Sequence, residues 1–270
     1  MEGKNIYSKT EKVRSALTTN KRLAAKGQGR YDTEELEWTD YNSKIDSFGK
    51  TFFDTLPKEF FEKVKCDTRN AFLIYIESTL TDQRENTSDQ LTAVEFGGPG
   101  SNLFRAFPKG FFKRTVGVCL KDIRLPGEKI RDTERGHYLV AGNILDTKNA
   151  RNNPVLASVH RKLDSDKIDL IISRIQGPLV SIDKNPIILE RIVRNWYHIL
   201  NNNGIMFIQF SYDSFEGNNL QKLIKKWSEA LRSKFPEIDI CCTRDSIRLH
   251  KRPGSPDELP PLNELFTKQN

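Results

Sequence analysis

The residues with the clearest chemical potential form one short turn, Glu95-Phe96-Gly97-Gly98-Pro99-Gly100. Glycines let a backbone turn sharply and let a ligand approach the main chain with no Cβ in the way. A carboxylate just before them would repel a pyrophosphate, whereas it suits a cationic amine. The turn therefore favours an adenosyl ligand bearing an ammonium group over a dinucleotide. Other chemistry is sparse. His137, His160 and His198 form no recognisable triad, so the catalytic residue is unassigned. No cluster of His, Asp and Glu has the spacing of metal ligands, and no metal is expected. Cys66, Cys119, Cys241 and Cys242 contain no C-x-x-C pair. Neither a zinc site nor a disulfide framework is expected, only buried thiols in a reducing compartment.

The elements that must hold this turn read as alternating strands and helices. Short apolar runs occur at LTAVEFG, RTVGVCL, GHYLVAG, KIDLIIS and GIMFIQF. Each is apolar on both alternating faces, as buried parallel strands are. Between them, SNLFRAF, NPVLASVHRKL and NPIILERIVRNWYHIL have helical character, two of them opening Asn-Pro with proline at the first helical position. A further helix, NLQKLIKKWSEALRSKF, precedes EIDICC and SIRLHK, which read as an antiparallel hairpin. Strands alternating with helices predict a mostly parallel α/β sheet covered on both faces. Ligands in such sheets bind beyond the carboxyl ends of the strands. The glycine turn ends the first strand.

The chain has 270 residues and a net charge of +7, and the excess is uneven. Residues 1–30 carry eight Lys and Arg against Glu2 and Glu11, a surplus of six. We expect four sections: a basic arm (1–30), an N-terminal helical cap (31–88), a sheet domain (89–252) and a flexible tail (253–270). In the cap, Trp38, Tyr41 and the pairs Phe52/Phe53 and Phe60/Phe61 either cover a ligand or pack as core; core packing is the expectation for the Phe pairs. The arm is a solvated segment or a contact for nucleic acid or a protein partner. No apolar run approaches the ~18–20 residues of a membrane span, and residues 1–27 have no apolar signal region. No membrane association is expected, and the cytoplasm is the default location.

In its order of motifs, residues 88–252 resemble the class I S-adenosylmethionine-dependent methyltransferases. The likeness rests on the glycine turn after the first strand, VGVCL, AGNILD, DLIISR, LNNNGIMFIQF and the closing hairpin. It implies a seven-stranded Rossmann-like sheet with an antiparallel last strand, and S-adenosyl-L-methionine as cofactor. Glu95 would hold the methionine amine, and the backbone at Gly97, Gly98 and Gly100 would approach the ligand. Asn143 takes the place of the usual Asp facing the adenine amino group. Two features depart from the family. Its commoner glycine motif has one more residue, although a Glu-x-Gly-Gly-Pro form occurs. Its second strand normally ends in an acid that grips the ribose hydroxyls; here that position is Cys119, and the nearest acid is Asp122. The acceptor side falls at Ser173, Arg174 and Gln176, which lack the Asn/Asp-Pro-Pro-aromatic signature of amine methylation.

The leading expectation is an in-line methyl transfer to an unidentified acceptor, a small molecule being favoured because residues 31–270 are nearly neutral. The alternative is a catalytically silent methyltransferase-like domain that binds RNA or protein through its arm. An NAD-dependent oxidoreductase fits less well, given Glu95 and the hairpin.

Overall fold

The computed structural model describes residues 45–63, 67–84, 91–119, 121–122, 124–142, 153–174, 186–209, 220–243 and 246–261. The basic arm, Trp38, Tyr41, Cys66, Asn143 and Gln176 lie outside these residues. Among the described residues three helices come first: α1 (Ile45–Phe52), followed by a 3-10 turn (Phe53–Thr55), α2 (Lys58–Lys63) and α3 (Thr68–Arg84). The alternating part follows: β1 (Thr92–Phe96), α4 (Ser101–Phe104), β2 (Arg114–Cys119), α5 (Pro126–Glu134), β3 (His137–Ala141), α6 (Pro154–Leu163), β4 (Ile168–Ser173), α7 (Pro186–Ile199) and β5 (Leu200–Gln209). The chain then forms α8 (Leu220–Lys234), β6 (Ile238–Cys242) and β7 (Ser246–Lys251).

One sheet takes the order β3-β2-β1-β4-β5-β7-β6. Strands β3 to β5 are mutually parallel, and β7 runs antiparallel between β5 and β6. This is the mostly parallel, seven-stranded sheet with an antiparallel last strand that the resemblance implies.

The two-residue period of the strands sorts the core into two clusters. Val94, Phe96, Val116, Val118, Ile171 and Met206 pack against α6, α7 and α8. Ala93, Leu170, Ile172, Ile205 and Phe207 face the other way, toward α1, α3 and the Phe side chains that follow the glycine turn. The Phe pairs belong to this second cluster. Phe52 stacks on Phe72 at 5.7 Å and contacts Phe207 at 5.2 Å, while Phe53 packs on Phe61 and Phe60 on Tyr75. Core packing accounts for them.

Buried polar contacts tie the N-terminal helices to the hairpin. Arg248 on β7 donates to the Thr55 carbonyl and to the Tyr75 hydroxyl, both at 2.8 Å, and forms a bidentate pair with Asp239. Ser246 donates to the Thr51 carbonyl. These residues share the α1/α3 face because Arg248 pairs with Phe207 across the sheet.

Two differences from the sequence reading have clear causes. Helix α5 has no apolar stripe to reveal it, since Ile130 is its one large apolar side chain and is exposed. It is set by Pro126 in its first turn and by Glu128, whose carboxylate accepts from the Leu125 N–H. The segment after residue 252, expected to be loosely held, instead buries Leu259 in the core, where its carbonyl accepts from Arg194 Nε.

Candidate functional site

Glu95 is the next-to-last residue of β1, and the two-residue period turns it to the α1/α3 face. Its carboxylate is buried, folds back under Gly98 and accepts from the Gly100 N–H at 2.6 Å. A Cβ on Gly98 would lie 2.1 Å from Glu95 Oε1. Gly97 and Gly100 have φ of 90° and 70°, a region that disfavours other residues, and the Gly97 N–H donates to the Val118 carbonyl. The backbone therefore favours glycine at 97 and 100, and a side chain at 98 would have to displace the Glu95 carboxylate. Burial pushes the Glu95 carboxyl up to about 7, against the opposing pull of Arg174 and the Gly100 N–H.

Arg174 follows β4, whose Ser173 lies beside Phe96 in the sheet. Both Ser173 and Arg174 are buried. The guanidinium sits over the Phe48 ring at 4.3 Å and donates from Nη2 to Ser47 Oγ at 2.8 Å and from Nε to Gln209 Oε1. Arg174 thus links α1 to the ends of β4 and β5.

Two supports of the loop escaped the sequence reading. Gly117, midway along β2, lies directly beneath it: a Cβ there would fall 2.1 Å from the Pro99 carbonyl oxygen and 2.8 Å from that of Gly98. A glycine inside an apolar strand run signals such a close backbone approach, so VGVC carried the clue. His137 on β3 places Nε2 at 2.7 Å from the Pro99 carbonyl and Nδ1 at 2.7 Å from Thr115 Oγ1. Burial holds its pKa down to about 4, so the ring is neutral, with Nε2–H donating to Pro99 and Nδ1 accepting from Thr115. Nothing in the spacing of the sequence pointed to this pairing.

At the end of β2, Cys119 is buried and its carbonyl accepts from the Gly142 N–H. The Asp122 carboxylate accepts from the backbone N–H and the guanidinium of Arg124 and pairs with Lys129 at 3.1 Å. Arg124 also pairs with the buried Asp132, which Arg105 approaches at 3.7 Å. This chain of charges fastens the helix after the glycine turn to α5. His160 and His198 stand apart, on a groove of about 970 Å³ at the opposite end of the sheet, which no residue of the glycine turn lines. Among the described residues no group of three or more His, Cys, Asp or Glu could hold a metal ion, and no helix is long and apolar enough to cross a membrane.

No family model and no curated protein matches the chain. It is similar to solved structures that include the MycE methyltransferase from the mycinamycin biosynthetic pathway in complex with Mg, SAH and mycinamycin VI (15% identity over 67% of this chain and 46% of that one, TM-score 0.39). An rRNA methylase from Streptococcus thermophilus gives 13% identity over 65% of this chain and 93% of that one, with a TM-score of 0.39. Phosphoethanolamine N-methyltransferase 1 from Haemonchus contortus gives 13% over 82% and 52%, with a TM-score of 0.42. The chain spans about half the length of the MycE chains it matches. With TM-scores below 0.5, the functional reading rests on the strand order and the site geometry.

Proposed function

We propose that the protein is an S-adenosylmethionine-dependent methyltransferase whose cofactor lies over the glycine turn. One observation carries the reading: a buried carboxylate, Glu95, closes the carboxyl end of β1 under a loop with two positive-φ glycines and a third, Gly98, against the carboxylate itself, in a sheet with reversed β7. When bound, the cofactor's sulfonium supplies an electrophilic methyl group for in-line displacement. Ionised Glu95 attracts the ligand's ammonium, and the positive φ at Gly97 turns the main chain toward it, while Phe104 and His137 pack where a Gly100 Cβ would lie and hold the far side of the turn. Gly117 and His137 fix the height of the loop over β2. Arg174, braced by Phe48 and Ser47, borders the acceptor side with Ser173; Asn143 and Gln176, outside the described residues, keep the adenine and acceptor roles that the resemblance implies. Holding the acceptor in line and keeping water out is the catalytic contribution this arrangement requires, with little acid–base help. A small-molecule acceptor remains the favoured class.

The end of β2 favours a second reading, a methyltransferase-like domain that binds without catalysing. Cys119 stands where an acid would hold the ribose, and Asp122 is committed to Arg124 and Lys129. Calorimetric titration separates the two. Binding of S-adenosylmethionine, with no binding of NAD(P), supports the enzyme; no heat up to millimolar ligand leaves the silent domain.

A further inference from the structure

The folded body carries a second concentration of basic charge. Residues 105–135 hold nine Lys and Arg against Asp122, Glu128, Asp132 and Glu134. Most of these acids are turned to internal tasks. Asp132 is buried, Asp122 is engaged by Arg124 and Lys129, and Glu128 caps the Leu125 N–H. The cations point outward: Lys109, Lys113, Arg131 and Arg135 are exposed, and among the described residues none has an acid partner. Lys113, Arg131 and Arg135 also lie together. Arg131 and Arg135 are one turn apart at the end of α5, so their Cβ atoms are about 5–6 Å apart. A Cβ on Gly136, next to Arg135, would lie 2.6 Å from the Lys113 carbonyl oxygen. Beside them Arg114 reaches Asp164, and Lys162 sits over the Tyr138 ring of β3, the edge strand.

We propose that this edge, formed by β3, α5 and the residues leading into β2, is a docking surface for the phosphodiester backbone of a nucleic acid. Dense unpaired cations with their acids withdrawn match a polyanion and release its counterions on contact. A protein partner would need a cluster of apolar anchors, and this surface offers one, Ile130 on α5, the single large apolar side chain strongly exposed among the described residues. The surface lies mainly at the amino ends of β2 and β3, away from the glycine turn. It therefore stands independently of methyl transfer and of the arm at 1–30.

The test uses the full chain without cofactor, fluorescence anisotropy of a labelled single-stranded RNA, and a DNA of the same sequence. A quadruple variant, Lys109→Ser, Lys113→Ser, Arg131→Ser and Arg135→Ser, is compared with a Lys225→Ser, Lys226→Ser control on the exposed face of α8. The quadruple variant is expected to lose at least about tenfold in affinity for both strands near 50 mM salt, with its log–log salt slope shallower by up to about 3. The control should match the parent, and both variants should keep the parent melting temperature, because the changed side chains are exposed. Absence of salt-dependent binding by the parent overturns the proposal. So does a quadruple variant that binds as the parent does while deletion of 1–30 removes binding.

Discussion

Glu95 links the proposed ligand to pH in a way that can be measured. Its carboxyl, raised from the usual 4.5 to about 7 by burial, is about one-tenth ionised in the free protein at pH 6. A ligand ammonium would favour the ionised form, so binding near pH 6 should expel close to one proton. The ammonium itself titrates near 7.7–8.0, so affinity should peak between about pH 7 and 8 and fall roughly five- to tenfold by pH 6. Calorimetry in two buffers of different ionisation enthalpy reads both quantities. Glu95→Gln should flatten the acid limb, and a deaminated adenosyl thioether should show no such limb with the parent protein. The same carboxyl acts on folding. Because its pKa is higher when folded, its stabilising contribution is complete below about pH 4.5 and is lost as pH rises through about 7, a change of about 3 kcal/mol. Flat affinity from pH 6 to 7.5 with no proton release would refute the assignment of Glu95 to the amine.

The loop supports give further outcomes. Gly117→Ala must displace the Pro99 backbone and should cost ~1–3 kcal/mol, seen as a lower melting temperature with S-adenosylmethionine affinity falling more than stability. Equal melting points and equal affinities would remove the loop from the site. Gly97→Val should abolish cofactor binding in a folded protein, because valine resists the positive φ of that position. His137→Phe leaves the Pro99 carbonyl and the Thr115 hydroxyl without this partner, at about 1–3 kcal/mol for each group left unsatisfied. Circular dichroism melts check the cost. Arg248→Met leaves the Thr55 carbonyl and the Tyr75 hydroxyl without this partner and Asp239 with Arg252 alone, and should destabilise by about 1–3 kcal/mol, with earlier proteolysis within 45–84 than elsewhere.

The strands were legible because burial on both faces leaves near-continuous apolar runs, and β1 and β4 are buried throughout. The first Asn-Pro pair marked its helix for a local reason: Asn153 accepts the Val155 N–H and Pro154 presets the first turn. Helix α5 was missed because its side chains serve ion pairs rather than a core. The glycine turn was legible as a local motif, whereas its partners were not. Arg174 is 79 positions from Glu95, and His137 meets Pro99 only because β3 lies beside β2. Cross-sheet neighbours of this kind follow from strand order, which adjacent residues do not encode. Leu259 was misread because one apolar residue in a Pro-rich stretch has no periodicity to set it apart.

The stitching of α1 and α3 to β7 also sets a schedule for synthesis. The hydrogen bonds from Ser246 to Thr51 and from Arg248 to Thr55 and Tyr75 join residues 173 to 195 positions apart. A ribosome adding about 5–20 residues per second needs roughly ten to forty seconds to cover that span. For most of that interval Phe48, Phe52, Phe72 and Ile76 have been made, but the hairpin they pack beneath is not complete. The nascent chain therefore carries an uncovered aromatic face for most of its time on the ribosome, the condition under which holdase chaperones engage and premature collapse competes with correct docking.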